Sequence, residues 1–167
     1  NDYRREHNLT GTVAMYAGNV GFSQSLDIVI EAAKRLPDIT FVINGDGAAR
    51  ERLEHDAADL VNVKIVGYQP AERLPEVLAA ADIHLVPLRT GLGSVSVPSK
   101  TYTALAAARP VIAAVDPGTA IAQLIADAGC GLAVPPDDAD ALIAAIEELA
   151  SDPERCRRLG EAGRAWV

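Results

Sequence analysis

Short runs of consecutive apolar residues alternate along this chain with longer stretches in which apolar positions return every three or four residues. The runs fall at residues 13–16, 40–43, 63–66, 83–86, 111–114 and 132–134. Each has the length of a strand, and none alternates apolar with polar as a sheet with one wet face would. A parallel sheet covered on both sides is therefore predicted. Helical spacing follows each run: Leu26, Ile28, Val29, Ile30, Ala33 and Leu36 after the first, then residues 50–60, 74–81, 101–108, 120–128 and 139–149, with 154–167 closing the chain. Regular strand and helix alternation with right-handed crossovers specifies an α/β fold, a Rossmann-like doubly wound parallel sheet of six strands with helices on both faces.

That order puts the connections after the first four strands, residues 18–25, 45–48, 67–70 and 88–100, on one edge of the sheet. Open α/β sheets bind their ligands at this carboxyl edge. Glycines at 18, 21, 45, 47, 67, 91 and 93 let backbone come close to a bound molecule. The Gly/Ser-rich stretch from Gly91 to Ser99 is longer than a connection requires and opens directly into a helix. Free amides and the positive end of a helix dipole make it the candidate anion site, with phosphate the natural guest. Farther on, Pro135-Pro136-Asp137-Asp138 marks a sharp turn in which Asp137 or Asp138 caps the next helix.

Composition narrows the partners. The 167 residues suit a single domain, and no apolar run approaches the roughly 20 residues that cross a bilayer. With 15 Lys plus Arg against 23 Asp plus Glu, the net charge of -8 repels polyanions and excludes a broad nucleic-acid surface. Any phosphate site must be local. Cys130 and Cys156 lack metal-ligand spacing and disulfide density, which suits reduced thiols in a cytoplasmic protein and leaves the sequon at Asn8 idle. The charged opening, residues 1–11, is expected to be a connecting segment from a missing amino-terminal domain, with the domain proper at 12–167.

Familiar phosphate motifs are absent. A dinucleotide fingerprint fails at Gly18-Asn-Val-Gly21, and after the second strand Arg50 stands at the third glycine position of Gly45-Asp-Gly47. A P-loop aligned on Lys100 and Thr101 would need glycine at Ser94 and Ser99. No nucleophile elbow, metal cluster or spaced carboxylate pair is evident. His84 lies within a strand, as a packed or edge histidine would rather than a base, and Arg109 follows a helix end that it can neutralise, unless it reaches a phosphate. Glu147, Glu148, Asp152 and Glu154 read as a solvated acidic face.

From about Thr12 to Val167 the blocks taken together resemble a known family. Tyr16-Ala-Gly-Asn-Val-Gly21, Phe41-Val-Ile-Asn-Gly-Asp-Gly47, Asn62-Val-Lys-Ile-Val-Gly67 and residues 74–86 occur in the order of the carboxy-terminal half of GT-B retaining glycosyltransferases of family 4. Ser96-Val-Pro-Ser-Lys-Thr-Tyr102 with residues 105–112 is similar to the block of the subgroup that builds surface polysaccharides and O-antigens. The resemblance implies a nucleotide-sugar (NDP-sugar) donor held by this half, a glycan or lipid-linked acceptor held by the missing half, and retention at the transferred sugar without metal or other cofactor. The fragment alone would bind but not transfer, and the full-length protein would work in the cytoplasm at the inner face of a membrane.

By the same resemblance, the diphosphate and sugar would meet Gly18, Asn19, Gly21, Ser94, Val95, Ser96, Ser99, Lys100 and Thr103, and the base would rest near Gly67, Tyr68 and Gln69. The chain departs from the family at four positions: Thr103 and Val95 replace two glutamates, and Asn19 and Gln24 stand where Arg and Lys grip the diphosphate. Lys100 and Arg89 are the cations available to offset that loss. The missing carboxylates also admit a non-catalytic nucleotide-sugar module that regulates or assembles a biosynthetic complex. A hydrolysing epimerase of the same architecture is a third reading.

Overall fold

The computed structural model describes residues 1–91 and 99–167, and the side chains of all of these except Ser99 and Lys100. Its parallel strands β1 (Val13–Ala17), β2 (Thr40–Asn44), β3 (Val63–Val66), β4 (Ile83–Pro87), β5 (Val111–Ala114) and β6 (Gly131–Val134) form one sheet in the order β3-β2-β1-β4-β5-β6. The predicted runs match these strands, extended by one residue in β1, β2, β4 and β6. Every residue of β1, β4 and β5 is buried, whereas the outermost strands β3 and β6 are largely half-exposed. That gradient is what a sheet covered on both faces requires.

Because side chains alternate across a strand, each strand feeds two cores. Ala14 and Tyr16 of β1 pack with Phe41 and Ile43 against α2 (Leu26–Arg35), α3 (Arg50–Asp56) and α7 (Ala139–Ala150). Val13, Met15 and Ala17 face α1 (Asp2–Glu6) and α4 (Leu74–Ala79) with Tyr3, Val77 and Leu78. On that second side, Val111 and Ala113 continue the layer against α5 (Ser99–Ala106) and α6 (Ala120–Ala128). The last helix, α8 (Pro153–Trp166), lays Gly163 on Cys130 and Leu105.

Local chemistry explains where helices start. Thr119, Asp138 and Asp152 accept hydrogen bonds from the amides of Ala122, Ala141 and Arg155, so α6, α7 and α8 are capped by side chains. Asp152 thus belongs to a cap, while Glu148 and Glu154 of the acidic face pair with Arg155 and Arg157. Residues 1–11 are built into the domain: Tyr3 is fully buried, its hydroxyl donates to Asn44 Oδ1 at 2.7 Å, and Arg4 pairs with Asp82 at 2.9 Å.

Candidate functional site

The chain turns back on itself between β1 and β4: the crossovers run outward from β1 to β2 and β3, then return to β4 and go the other way. In open sheets with such a switch point, ligands bind beyond the carboxyl ends of the two strands, which places the candidate crevice beyond β1 and β4. Its two rims are tied together. Ser25 N donates to Pro87 O at 3.1 Å, Arg89 N to Ser23 O at 3.3 Å, and Gln24 and Leu88 form an antiparallel bridge.

The loop after β1 rests on the turn after β2. Gly18 N donates to Asn44 O (3.1 Å), Val20 N to Asp46 O (3.0 Å) and Ala49 N to Val20 O (2.9 Å). A Cβ at Gly45 would lie 1.8 Å from Gly18 O, and one at Gly47 would lie 2.4 Å from Val20 O. These two glycines are required so that one loop can lie on the other. The expectation that they give a ligand access to backbone is corrected here: the close approach is filled by the protein itself.

Of the expected diphosphate contacts, Gly18, Asn19 and Gly21 stand together on the β1 rim, with Asn19 exposed. Tyr16 donates its hydroxyl to Asn19 O, and Gln24 accepts from Gly21 N at 3.1 Å, so Gln24 stabilises its own loop. Ser94, Val95 and Ser96 lie outside the described residues. Ser99 and Lys100 open α5, as expected for a loop leading into a helix, and their side chains lie outside the described part. Thr103, one turn further on, lines a groove with Leu74, Pro75 and Leu78 of α4.

The expected base contacts form the neighbouring rim after β3. Tyr68 is exposed and donates to Asp46 O at 3.2 Å; Gln69 donates to Gly67 O and accepts from Arg73, each at 3.2 Å. Arg89 is not a free cation. It donates to Phe22 O at 2.6 Å and lies 3.5 Å from Asp27 and 3.6 Å from Asp137, so its charge is answered within the rim and the expected offset for the missing basic residues is corrected.

Carboxylates from two further loops reach this edge, and sequence reasoning assigned neither to it. Asp116, after β5, accepts from Gly91 N at 2.6 Å. Asp137, after β6, accepts from Ser25 Oγ at 2.6 Å and from both Thr90 N and Thr90 Oγ1 at 3.0 Å. These hydrogen bonds, that from Ser25 foremost, hold the Asp137 carboxyl below the usual carboxylate range. The Asp-Asp pair at the turn was a visible signal, and only its partners, far away in sequence, were not.

His84 is buried in β4, where its Nε2 donates to Leu78 O at 2.9 Å. Burial, with Arg109 nearby, lowers its pKa to about 4 and keeps it neutral, in keeping with a packed histidine. Arg109 donates to Ala79 O at 2.9 Å, so the helix end it meets is that of α4 and not that of α5, which it follows in sequence. A cavity of about 380 Å³ lies at the opposite, amino edge of the sheet, lined by Thr12, Asp82, Arg109, Pro110, Cys156 and Arg157 among others. Its Asp82 pairs with Arg4 and its Arg157 with Glu161, so topology and free backbone favour the carboxyl edge as the site.

A six-stranded, all-parallel Rossmann-like sheet with helices on both faces is a fold found in GT-B glycosyltransferases. Residues 2–166 match the family described as Glycosyl transferases group 1, and the chain belongs to that family. It is 34% identical, over 82% of its length and 37% of the relative, to a GDP-mannose-dependent alpha-(1-6)-phosphatidylinositol monomannoside mannosyltransferase of Mycolicibacterium smegmatis. It is also 34% identical to WcaI of Escherichia coli, named as a colanic acid biosynthesis glycosyl transferase, over 81% of this chain and 35% of the relative. Among solved structures, sucrose-phosphate synthase of Thermosynechococcus elongatus superposes with a TM-score of 0.83 at 26% identity, covering 98% of this chain and 43% of that one. The chain thus spans about a third of the length of the curated relatives it matches. No helix among the described residues is long and apolar enough to cross a membrane.

Proposed function

We propose that this chain is the donor-binding domain of a retaining, metal-independent family 4 glycosyltransferase that passes a sugar from a nucleoside diphosphate to a glycan or lipid-linked acceptor. The carrying observation is the β1/β4 switch point of the sheet in a chain that belongs to a glycosyltransferase family. In this reading the diphosphate sits between the β1 rim, with Gly18, Asn19 and Gly21, and the start of α5 at Ser99. Backbone amides and Lys100 stabilise the charge that develops on the departing diphosphate. The base lies along Gly67, Tyr68 and Gln69. A second domain supplies the acceptor, and the assembled protein works in the cytoplasm, against the inner membrane face when the acceptor is a lipid.

The test is a thermal-shift and calorimetry panel of UDP, GDP and their sugars on this chain. One nucleotide series should raise the unfolding midpoint, by about 2.7 kcal/mol of added stability at a hundredfold excess over Kd. A flat response to every member would overturn the reading. The second reading, a non-catalytic module, draws on Thr103, which offers no carboxylate and lines the groove against α4. Sugar transfer by the complete protein decides between them, since a module would bind the nucleotide and transfer nothing.

A further inference from the structure

Building on the donor-site reading above, we infer that Asp137 is a positioning residue, whose carboxylate adds a side-chain staple to the backbone bonds that join the β1 and β4 rims and so fixes where Thr90 and Gly91 stand beside the candidate site. One carboxylate oxygen accepts from Ser25 Oγ, which begins α2 on the β1 rim, at 2.6 Å. The other accepts from Thr90 N and Thr90 Oγ1 on the β4 rim, each at 3.0 Å. Asp137 belongs to neither rim. It arrives from the loop after β6, 112 residues beyond Ser25.

Two local oddities are explained together by this one contact. Ser25 stands at the N-cap position of α2 and is fully buried, yet its hydroxyl makes no capping bond. It is turned to Asp137 instead. Asp137 itself has φ +54, the left-handed region where a side chain is strained and glycine is at ease. Helix α7 does not need the carboxylate there, because Asp138 caps it by accepting from Ala141 N at 3.0 Å. Asp is among the side chains that tolerate this region in a turn, so one residue can both make the bend and reach the two rims.

Charge fits the same role. Arg89 lies 3.6 Å from the Asp137 carboxylate and also binds Phe22 O at 2.6 Å, so the negative charge is answered on the protein side of the crevice and does not oppose a diphosphate. Asp116 adds a second fixing point by accepting from Gly91 N at 2.6 Å. The segment from Arg89 to Gly91 is thereby held from three loops.

The experiment compares this chain with Asp137→Gly, Asp137→Asn and Thr90→Val, reading thermal midpoint, amide exchange at Thr90 and Gly91, and affinity for UDP and GDP. Asp137→Gly should shift the midpoint little, because the ease of glycine at φ +54 offsets the lost hydrogen bonds, while exchange at Thr90 and Gly91 accelerates and nucleotide affinity falls about tenfold. Asp137→Asn retains an acceptor for Thr90 and should fall between. Thr90→Val, at an exposed position, removes one hydrogen bond and should give a smaller loss of affinity with an unchanged midpoint. Unchanged exchange in Asp137→Gly overturns the staple, as does unchanged affinity where the parent chain binds. Collapse of the fold in Asp137→Gly overturns it as well, since the carboxylate would then be holding the domain together. If the parent binds neither UDP nor GDP while exchange still accelerates, the donor-site reading fails and the staple stands.

Discussion

The two edges of the sheet are built on opposite plans. At the amino edge, three basic groups from three separate elements close the end of α4: His84 donates to Leu78 O at 2.9 Å, Arg109 to Ala79 O at 2.9 Å and Arg4 to Ala80 O at 2.8 Å. Arg4 and Arg109 bring positive charge to the negative end of the helix, and neutral His84 adds a third donor. At the carboxyl edge, glycines let loops stack on one another, carboxylates from remote loops fix the rims, and Phe22 and Tyr68 stand more than half exposed at 57% and 58%. One edge directs its internal bonds to a single helix end, and the other directs them to joining its loops, with Phe22 and Tyr68 left facing solvent. The two edges therefore differ in where their internal bonds are directed, rather than in how many charges each contains.

The comparison breaks most severely at Gly45. Alanine there would put a methyl 1.8 Å from Gly18 O, and since both partners are backbone the loops must part. Urea unfolding followed by far-UV circular dichroism should show a loss of about 3 to 4 kcal/mol, with nucleotide affinity lost as well. If Gly45→Ala is as stable as the parent, the stacked-loop account of the carboxyl edge is wrong.

Acid should act at the amino edge next. The folded pKa of His84, about 4, lies below the ordinary 6.5, so between those values the unfolded chain binds more protons than the folded one. Stability is complete above pH 6.5 and falls as the pH drops towards 4, by about 3 kcal/mol from this group. The carboxyls of Glu76 and Asp137, held low by their hydrogen bonds, act only in more acidic solution. In His84→Gln the amide can still donate to Leu78 O, and the slope of stability between pH 6.5 and 4 should flatten relative to the parent. Equal slopes in the two proteins would show that burial of His84 is not what the amino edge depends on.

A smaller effect tests the link between the edges. Tyr3 spans them, joining α1 to Asn44 at the end of β2 through its 2.7 Å hydrogen bond. Phenylalanine keeps the packing and leaves the buried Asn44 oxygen without that donor, at a cost of about 1 to 2 kcal/mol by urea unfolding. No change would mean that the opening helix merely rests on the sheet.

Much of this was legible in the order of residues. The strands declare themselves because both faces are buried, so periodicity gives way to unbroken runs such as Ile83 to Val86, and parallel order then places four loops on one edge without further information. Close range chemistry was legible too: the cap by Asp138 follows from the turn at Pro135-Pro136. The meeting of Asp137 with Ser25 and Thr90 was not, because no local pattern records a contact across 112 residues. For the same reason Gly45 and Gly47 looked like openings to a ligand, when the space beside them is filled by another loop. The helix at residues 2–6 was hidden by its shortness and charge; only the burial of Tyr3 reveals that it belongs to the core.

The docking of Tyr3 has a practical corollary for protein engineering. Trimming the chain to begin at Thr12, the first residue before β1, would strip the cover from Met15 and Val77 and leave Asn44 buried without its donor. Such a truncation should aggregate more readily than the 167-residue chain, because the uncovered face is apolar.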